Sequence, residues 1–340
     1  MNIRHSIKNG GRRRLLYPVL LLLLLMTALV SLLWGSAAFT PEELWGGLTA
    51  QEGYETVRFI LLSLRLPRVL GACIAGVGLS VSGVLLQNVM GNPLASPNTI
   101  GVNGGAGLTV VLCLTIMPSA LVLLPLAAFV GAFMTSLLIL AVSRRAGGGK
   151  GTVVLAGIAV TTLFQAIISF LSTLDTDVLS LYTAFSIGSL QGVSVRQLVL
   201  PGILTVFCLT ASLMLAGRIA VLSMGDGLAS ALGVSVRRMR IVCLLLASLS
   251  AATVISYAGL LGFVGLVVPH MARKLAGTDI RQQISGAALL GAILVMLSDL
   301  AGRVLFAPSE ISVGIVMALI GAPFFFILLL RRKELPDADL

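Results

Sequence analysis

From Leu15 to Trp34 the chain runs without one charged side chain, and it repeats that behaviour almost to its C-terminal end. Further apolar runs cover about Val69–Met90, Ile100–Met117, Ala120–Val142, Thr152–Leu171, Leu198–Ala216, Ile241–Tyr257, Leu260–Pro269, Ile284–Leu300 and Ile311–Leu330. A helix needs roughly 20 apolar residues to cross the hydrocarbon core of a bilayer. In that core the backbone must satisfy its own hydrogen bonds, which leaves helices as the natural solution for runs of this length. The pattern predicts an all-α polytopic membrane protein with about ten transmembrane helices. Charged residues make up only 11% of the chain, against about 25% in soluble domains. The runs leave no space for a separate soluble domain of ordinary size, so residues 1–340 read as a single transmembrane domain.

Two of these runs are atypical. The first follows Arg4, Lys8, Arg12, Arg13 and Arg14, and Ser36-Ala37-Ala38 would suit signal cleavage. Its length exceeds the roughly 7–15 residues of a signal core, which favours a retained span. The eighth, Leu260–Pro269, is short and carries Gly262 and Gly265. It reads as a half-span inside the bundle, since irregular backbone at that depth must be surrounded by protein or a water cavity. Thr173–Gln197 is mixed in polarity and predicts a short helix on the outer face.

Charge sets the orientation. With the N-terminus inside and the runs alternating, all but five of the 23 Lys and Arg fall on the inner side. The five are Arg58, Arg65, Arg68, Arg196 and Arg303. This positive-inside bias predicts both termini in the cytoplasm, and it accounts for the net charge of +10 without a nucleic-acid partner. The outer face is otherwise acidic, so Arg65, Arg68 and Arg303 stand out as exposed cations on it. Asp299 and Arg303 are four apart and could pair on one helix turn. Alternatively Arg303, with Arg65 and Arg68, forms a docking surface for acidic side chains of an external partner.

Within Val69–Met90, Ala72, Gly76 and Ser80 fall four apart, as do Gly78 and Ser82. Such a stripe lets another helix backbone approach closely. The run is bracketed by the outer arginines and by a Pro/Asn break from Asn88 to Asn98. On the inner side, Met224–Arg240 reads MGDGLASALGVSVRRMR. Leu228, Ala231 and Leu232 recur at helical spacing before Gly233, and arginines follow. A short, partly apolar helix there suits a groove on a cytoplasmic protein. It suits equally an interfacial helix resting on lipid headgroups.

Catalytic signatures are missing. His5 and His270 are the only histidines, which excludes a paired-histidine zinc motif. His270 more readily bonds a backbone carbonyl than a metal, which needs several ligands. Gly149-Lys150 resembles the end of a phosphate-binding loop, but Gly151 stands where Ser or Thr is required. The four cysteines lie inside apolar runs and read as small core residues. No charge sits at the centre of a run, where ion-coupled transporters usually carry an acid; Asp299 comes nearest, at an outer end.

Several segments resemble one family, the permease subunits of bacterial ABC importers for iron-siderophores, haem and vitamin B12, the FecCD-type transmembrane subunit. They are RLPR at Arg65–Arg68, SGVLLQ at Ser82–Gln87, NPLASP at Asn92–Pro97 and GVNGGA at Gly101–Ala106. ALGVSVRRMR at Ala231–Arg240, GFVGLVVPHMAR at Gly262–Arg273 and GTDIR at Gly277–Arg281 follow. SDLAGR at Ser298–Arg303, PSEISVGIV at Pro308–Val316 and GAPFFFILL at Gly321–Leu329 complete the series. The resemblance implies ten spans per subunit, a second permease subunit (identical or homologous), a cytoplasmic ATPase dimer and an extracytoplasmic substrate-binding protein. It implies that residues 224–240 form the coupling helix, with Asp226, Leu228, Ala231, Leu232, Gly233 and Val234 meeting the ATPase. It places the outer arginines, Arg65, Arg68 and Arg303, at the binding-protein interface. Asn92, Pro93 and Leu94, with Lys150 in a glycine-rich loop, fall at the cytoplasmic gate. It implies no cofactor on this chain, with ATP and Mg held by the partner subunits.

The expected function is therefore that of a non-catalytic permease in the bacterial cytoplasmic membrane, importing an iron-siderophore or related metal chelate. An ion-coupled secondary transporter of a small metabolite is the alternative; uptake that persists without ATPase and ATP would favour it.

Overall fold

The computed structural model describes residues 3–147 and 149–332, with side chains described for 15–147, 149, 151–328 and 330. Among the described residues there is no β-strand. The helices are α1 (Ile3–Leu33), α2 (Pro41–Leu48), α3 (Glu55–Phe59), α4 (Leu66–Met90), α5 (Val102–Ile116), α6 (Leu124–Arg145) and α7 (Lys150–Leu174). They continue with α8 (Thr176–Ile187), α9 (Val195–Ser223), α10 (Asp226–Ala231), α11 (Val236–Ala258), α12 (Val264–Ala276), α13 (Ile280–Val304) and α14 (Val313–Arg332).

Among the described residues, seven helical segments are long and apolar enough to cross a bilayer unaided. Three of the expected spans are shorter: α5, α12 and, where its side chains are described, the apolar part of α14. The chain is thus an all-α, polytopic membrane protein whose expected helices are all present but unequal in length. The expected outer helix is α8, whose N-terminus is capped by the Asp175 carboxylate on the amides of Asp177 and Val178.

The bundle is organised on α4, which packs against α9, α11, α12 and α13 and buries most of its length. Its small residues explain why. A Cβ on Gly76 would overlap the Gly291 carbonyl of α13, and one on Gly83 would overlap the Gly265 carbonyl of α12. In lipid there is little hydrophobic gain from bringing helices together, so close backbone approach and interhelical hydrogen bonds hold them. Ser82 donates to the Ala247 carbonyl at 2.7 Å, Ser250 to Gly78 at 2.9 Å and Tyr257 to Gly71 at 2.9 Å.

The half-span is α12. Its break falls at residues 259–263, with Gly259 and Phe263 both at positive φ, whereas Gly265 lies within the helix. The freed polar groups are paired. The Leu260 amide donates to Phe185 at 3.2 Å, and the Ala258 carbonyl accepts from Ser189 at 2.9 Å. Phe263 fills the space over Gly321 of α14, where a side chain would collide with it. A second irregular segment, 91–101, joins α4 to α5. Pro97 reaches Gly265, which also packs on the Leu79 carbonyl, level with the middle of α4. The segment therefore folds back into the bundle, and α5 is short because it starts at that depth.

Candidate functional site

At one end of the bundle α1, α4, α13 and the 305–312 loop converge on a cluster of charges. Pro67 cannot donate a backbone hydrogen bond. The helix entering it widens into a π turn over Ile60–Arg65, in which the Leu66 amide donates to the Leu61 carbonyl. Segments of this kind recur at functional positions. Here Arg65 and Arg68 are both buried, as are Asp299 and Arg303 of α13. Arg68 donates to Asp299 Oδ1 at 3.0 Å and, from its other Nη, to Glu310 at 2.6 Å. Arg303 Nε lies 3.0 Å from Asp299 Oδ2. Arg303 also donates to the Ser31 carbonyl at 3.1 Å, while Arg65 caps the carbonyls of Leu32, Leu33 and Ala37 at the end of α1. The Arg65 guanidinium stands 5.1 Å from the centre of the Phe39 ring.

The expectation of three exposed cations is corrected here. Desolvated guanidiniums need compensating charge or hydrogen bonds; here Arg68 and Arg303 face carboxylates and Arg65 faces backbone carbonyls. The partners come from elements distant in sequence, together with the i,i+4 contact Asp299–Arg303. The arginines do line a cleft of about 360 Å³, with Ser36, Glu310 and residues 191–194 on its rim. Glu310 lies on a loop. Its burial acts to raise its pKa, but the Arg68 hydrogen bond and charge, Ser36 and the Arg303 charge together hold it below the usual carboxylate range.

At the opposite end, α10 forms a single short helix between α9 and α11. Gly225 and Gly233, both at positive φ, allow the chain to turn into and out of it. Ala229 is buried and pins the turn, while Leu228, Ala231, Leu232 and Gly233 are exposed and Val234 is half-buried. Arg240 Nη2 donates to both carboxylate oxygens of Asp226, at 3.0 and 2.7 Å, tying α10 to α11. Exposed leucines on a rigidly held turn are a surface built for a protein groove or a lipid boundary.

Asn92, Pro93 and Leu94 open the re-entrant 91–101 segment. The Asn92 side chain accepts from the Leu94 amide at 2.9 Å, closing an Asx turn. Leu94 lines a cleft of about 340 Å³ with Pro97, Asn98, Phe263 and Phe325. Lys150 begins α7, but its side chain lies outside the described residues. His270 does not make the expected carbonyl bond through Nε2, which has no partner among the described residues; its ring meets Phe324 edge-on at 6.1 Å.

The π turn, the half-span and the re-entrant segment, set between long apolar helices, define a multi-pass membrane protein with irregular backbone inside its bundle. Residues 22–331 match the FecCD transport family, and the chain belongs to that family. It is 36% identical over 327 residues to the hemin transport system permease protein HmuU of Yersinia pestis, covering 94% of this chain and 97% of that one. It is 34% identical to the ferric enterobactin transport system permease protein FepG of Escherichia coli K12, covering 90% and 94%. A solved inward-facing structure, described as a metal-chelate type ABC transporter, superimposes with a TM-score of 0.83. That match has 29% identity and covers 94% of this chain and 99% of the other. The chain is accordingly an ABC-importer permease subunit of the bacterial cytoplasmic membrane.

Proposed function

We propose that this subunit conducts an iron chelate, a siderophore ahead of haem or vitamin B12, with ATP hydrolysis carried out by a partner ATPase dimer. In this reading both termini are cytoplasmic and ten helices cross or enter the membrane. Two permease subunits line the pathway and no residue of this chain performs catalysis. The observation that carries the reading is the turn around α10. Its leucines are exposed while its backbone is fastened to α11 through Asp226 and Arg240, so a push on the turn is transmitted to a membrane helix rather than absorbed.

At the other end, Arg65, Arg68, Arg303 and Glu310 line the cleft, and with Asp299 paired beside them three cations meet two carboxylates. That surplus suits acidic side chains of an extracytoplasmic binding protein, with charge setting on-rate and register. The segment from Asn92 to Leu94, with Lys150, is assigned to the cytoplasmic gate.

The test is uptake of iron-loaded siderophore into vesicles holding the permease, its ATPase and its binding protein. Uptake should require internal ATP. Leu232→Asp should lose ATPase co-purification, and Arg65→Gln, which keeps a donor for the α1 carbonyls, should weaken binding-protein docking with ATPase assembly intact. Uptake driven by an ion gradient with the ATPase absent would overturn the reading.

A further inference from the structure

Near the coupling turn lies a third cleft, of about 420 Å³, between α6, α7 and α11. Arg144 from the end of α6 and Arg237 and Arg240 from the start of α11 all line it. Arg144 and Arg237 are exposed and Arg240 is half-buried, so the mouth of the cleft is cationic and open to an anion from outside the chain. Asp226 answers Arg240 through Nη2, whereas Nε of Arg240 is buried with no hydrogen-bond partner among the described residues.

An independent feature points the same way. Ser143 lines this cleft, is 1% exposed, and its Oγ has no partner among the described residues. A buried hydroxyl left unpaired costs about 1–3 kcal/mol, so this group is shaped for a ligand that the protein alone does not supply. The wall beyond the polar mouth is apolar, formed by Leu140, Val153 and Leu244. A cationic mouth with a hydroxyl donor at the cytoplasmic end of a bundle, above an apolar wall, matches a phosphate joined to hydrocarbon.

We propose that this cleft binds the phosphate of an anionic membrane lipid, with Arg144 and Arg237 holding the charge and Ser143 donating a hydrogen bond. Arg240 then touches both the lipid phosphate and Asp226 of α10, which connects lipid occupancy to the coupling turn. A free phosphate shares the charge but gains nothing from the apolar wall.

The experiment uses the full chain in nanodiscs of phosphatidylglycerol mixed with phosphatidylcholine, counting co-purified lipids by native mass spectrometry. Each cation near a membrane surface strengthens anionic lipid binding roughly fivefold. Wild type should therefore retain phosphatidylglycerol at least about tenfold over phosphatidylcholine. Arg144→Gln with Arg237→Gln should abolish the preference, and Arg144→Lys with Arg237→Lys should keep most of it, which separates charge from misfolding. Equal retention of the two lipids by wild type, or an unchanged preference in the glutamine variant, would overturn the proposal. So would displacement of the lipid by millimolar inorganic phosphate, which would assign the cleft to a free anion. Lost ATPase co-purification in the glutamine variant with lipid retention intact would assign the arginines to the ATPase instead. No outcome depends on the cargo or on transport, so its failure is distinct from that of the importer reading.

Discussion

Replacing Asp299 with Asn removes one charge and almost no volume from the outer cluster. Asp299 is 2% exposed and lies 3.0 Å from both Arg68 and Arg303, whose side chains are 10% and 2% exposed. Breaking a buried pair by deleting one partner costs about 3–5 kcal/mol, because the surviving charge stays desolvated. After the substitution Arg68 still has Glu310, but Arg303 loses its paired carboxylate and keeps only neutral acceptors, among them the carbonyls of Ser31 and Trp34. One well-compensated and one uncompensated guanidinium place the expected loss near the middle of that range, about 4 kcal/mol. Adding Arg303→Met removes the stranded charge, so the double variant should recover roughly half of the loss rather than add to it. Reversible unfolding of the purified chain in mixed micelles, titrated with SDS and followed by Trp fluorescence, measures both values. The Trp34 carbonyl accepts from Arg303, which puts a reporter at the cluster. A loss below about 1 kcal/mol for Asp299→Asn would mean the cluster behaves like a solvent-screened surface pair. Simple additivity with Arg303→Met would refute the coupling.

Gly76→Leu should destabilise the bundle by about 3 kcal/mol, the upper end of the usual overpacking cost, in the same assay, since an added Cβ would overlap the Gly291 backbone. Gly217→Leu, at a helical glycine with nothing within 4 Å of an added Cβ, should be tolerated; equal losses at the two sites would contradict the packing argument. Glu310 has a depressed pKa in the folded chain, so its stabilisation is fully present above the ordinary glutamate value of about 4.3. That contribution is lost as pH falls through the lower folded value. Unfolding titrations from pH 7 down to pH 3 should show an acid-side loss that Glu310→Gln flattens, and identical slopes would argue against the Arg68–Glu310 contact.

The helices were legible because hydrophobic length is a local property. A run such as Leu15–Trp34 can satisfy its backbone in lipid only by coiling, whatever surrounds it. The weakness of the eighth run was legible for the same reason, although its break lies at Phe263 and the glycines around it rather than at Gly265. The α4 stripe announced close packing, and the sequence motifs announced the family. What stayed hidden was which surfaces meet. Arg68 and Glu310 are 242 positions apart, and no periodicity links them. Counting charges placed the three arginines together at one end of the bundle, where the structure also has them, but left them exposed, because burial depends on the return of α13 and the 305–312 loop beside α4. The inner cleft was hidden likewise: Arg144 and Arg237 lie far apart along the chain, and only the packing of α6 against α11 brings them to one cleft. Composition and spacing therefore determined which stretches form apolar helices and where the charges cluster between them. Only the tertiary structure decided which charges are spent on one another and which still face a ligand, because pairing follows from distance in space, not along the chain.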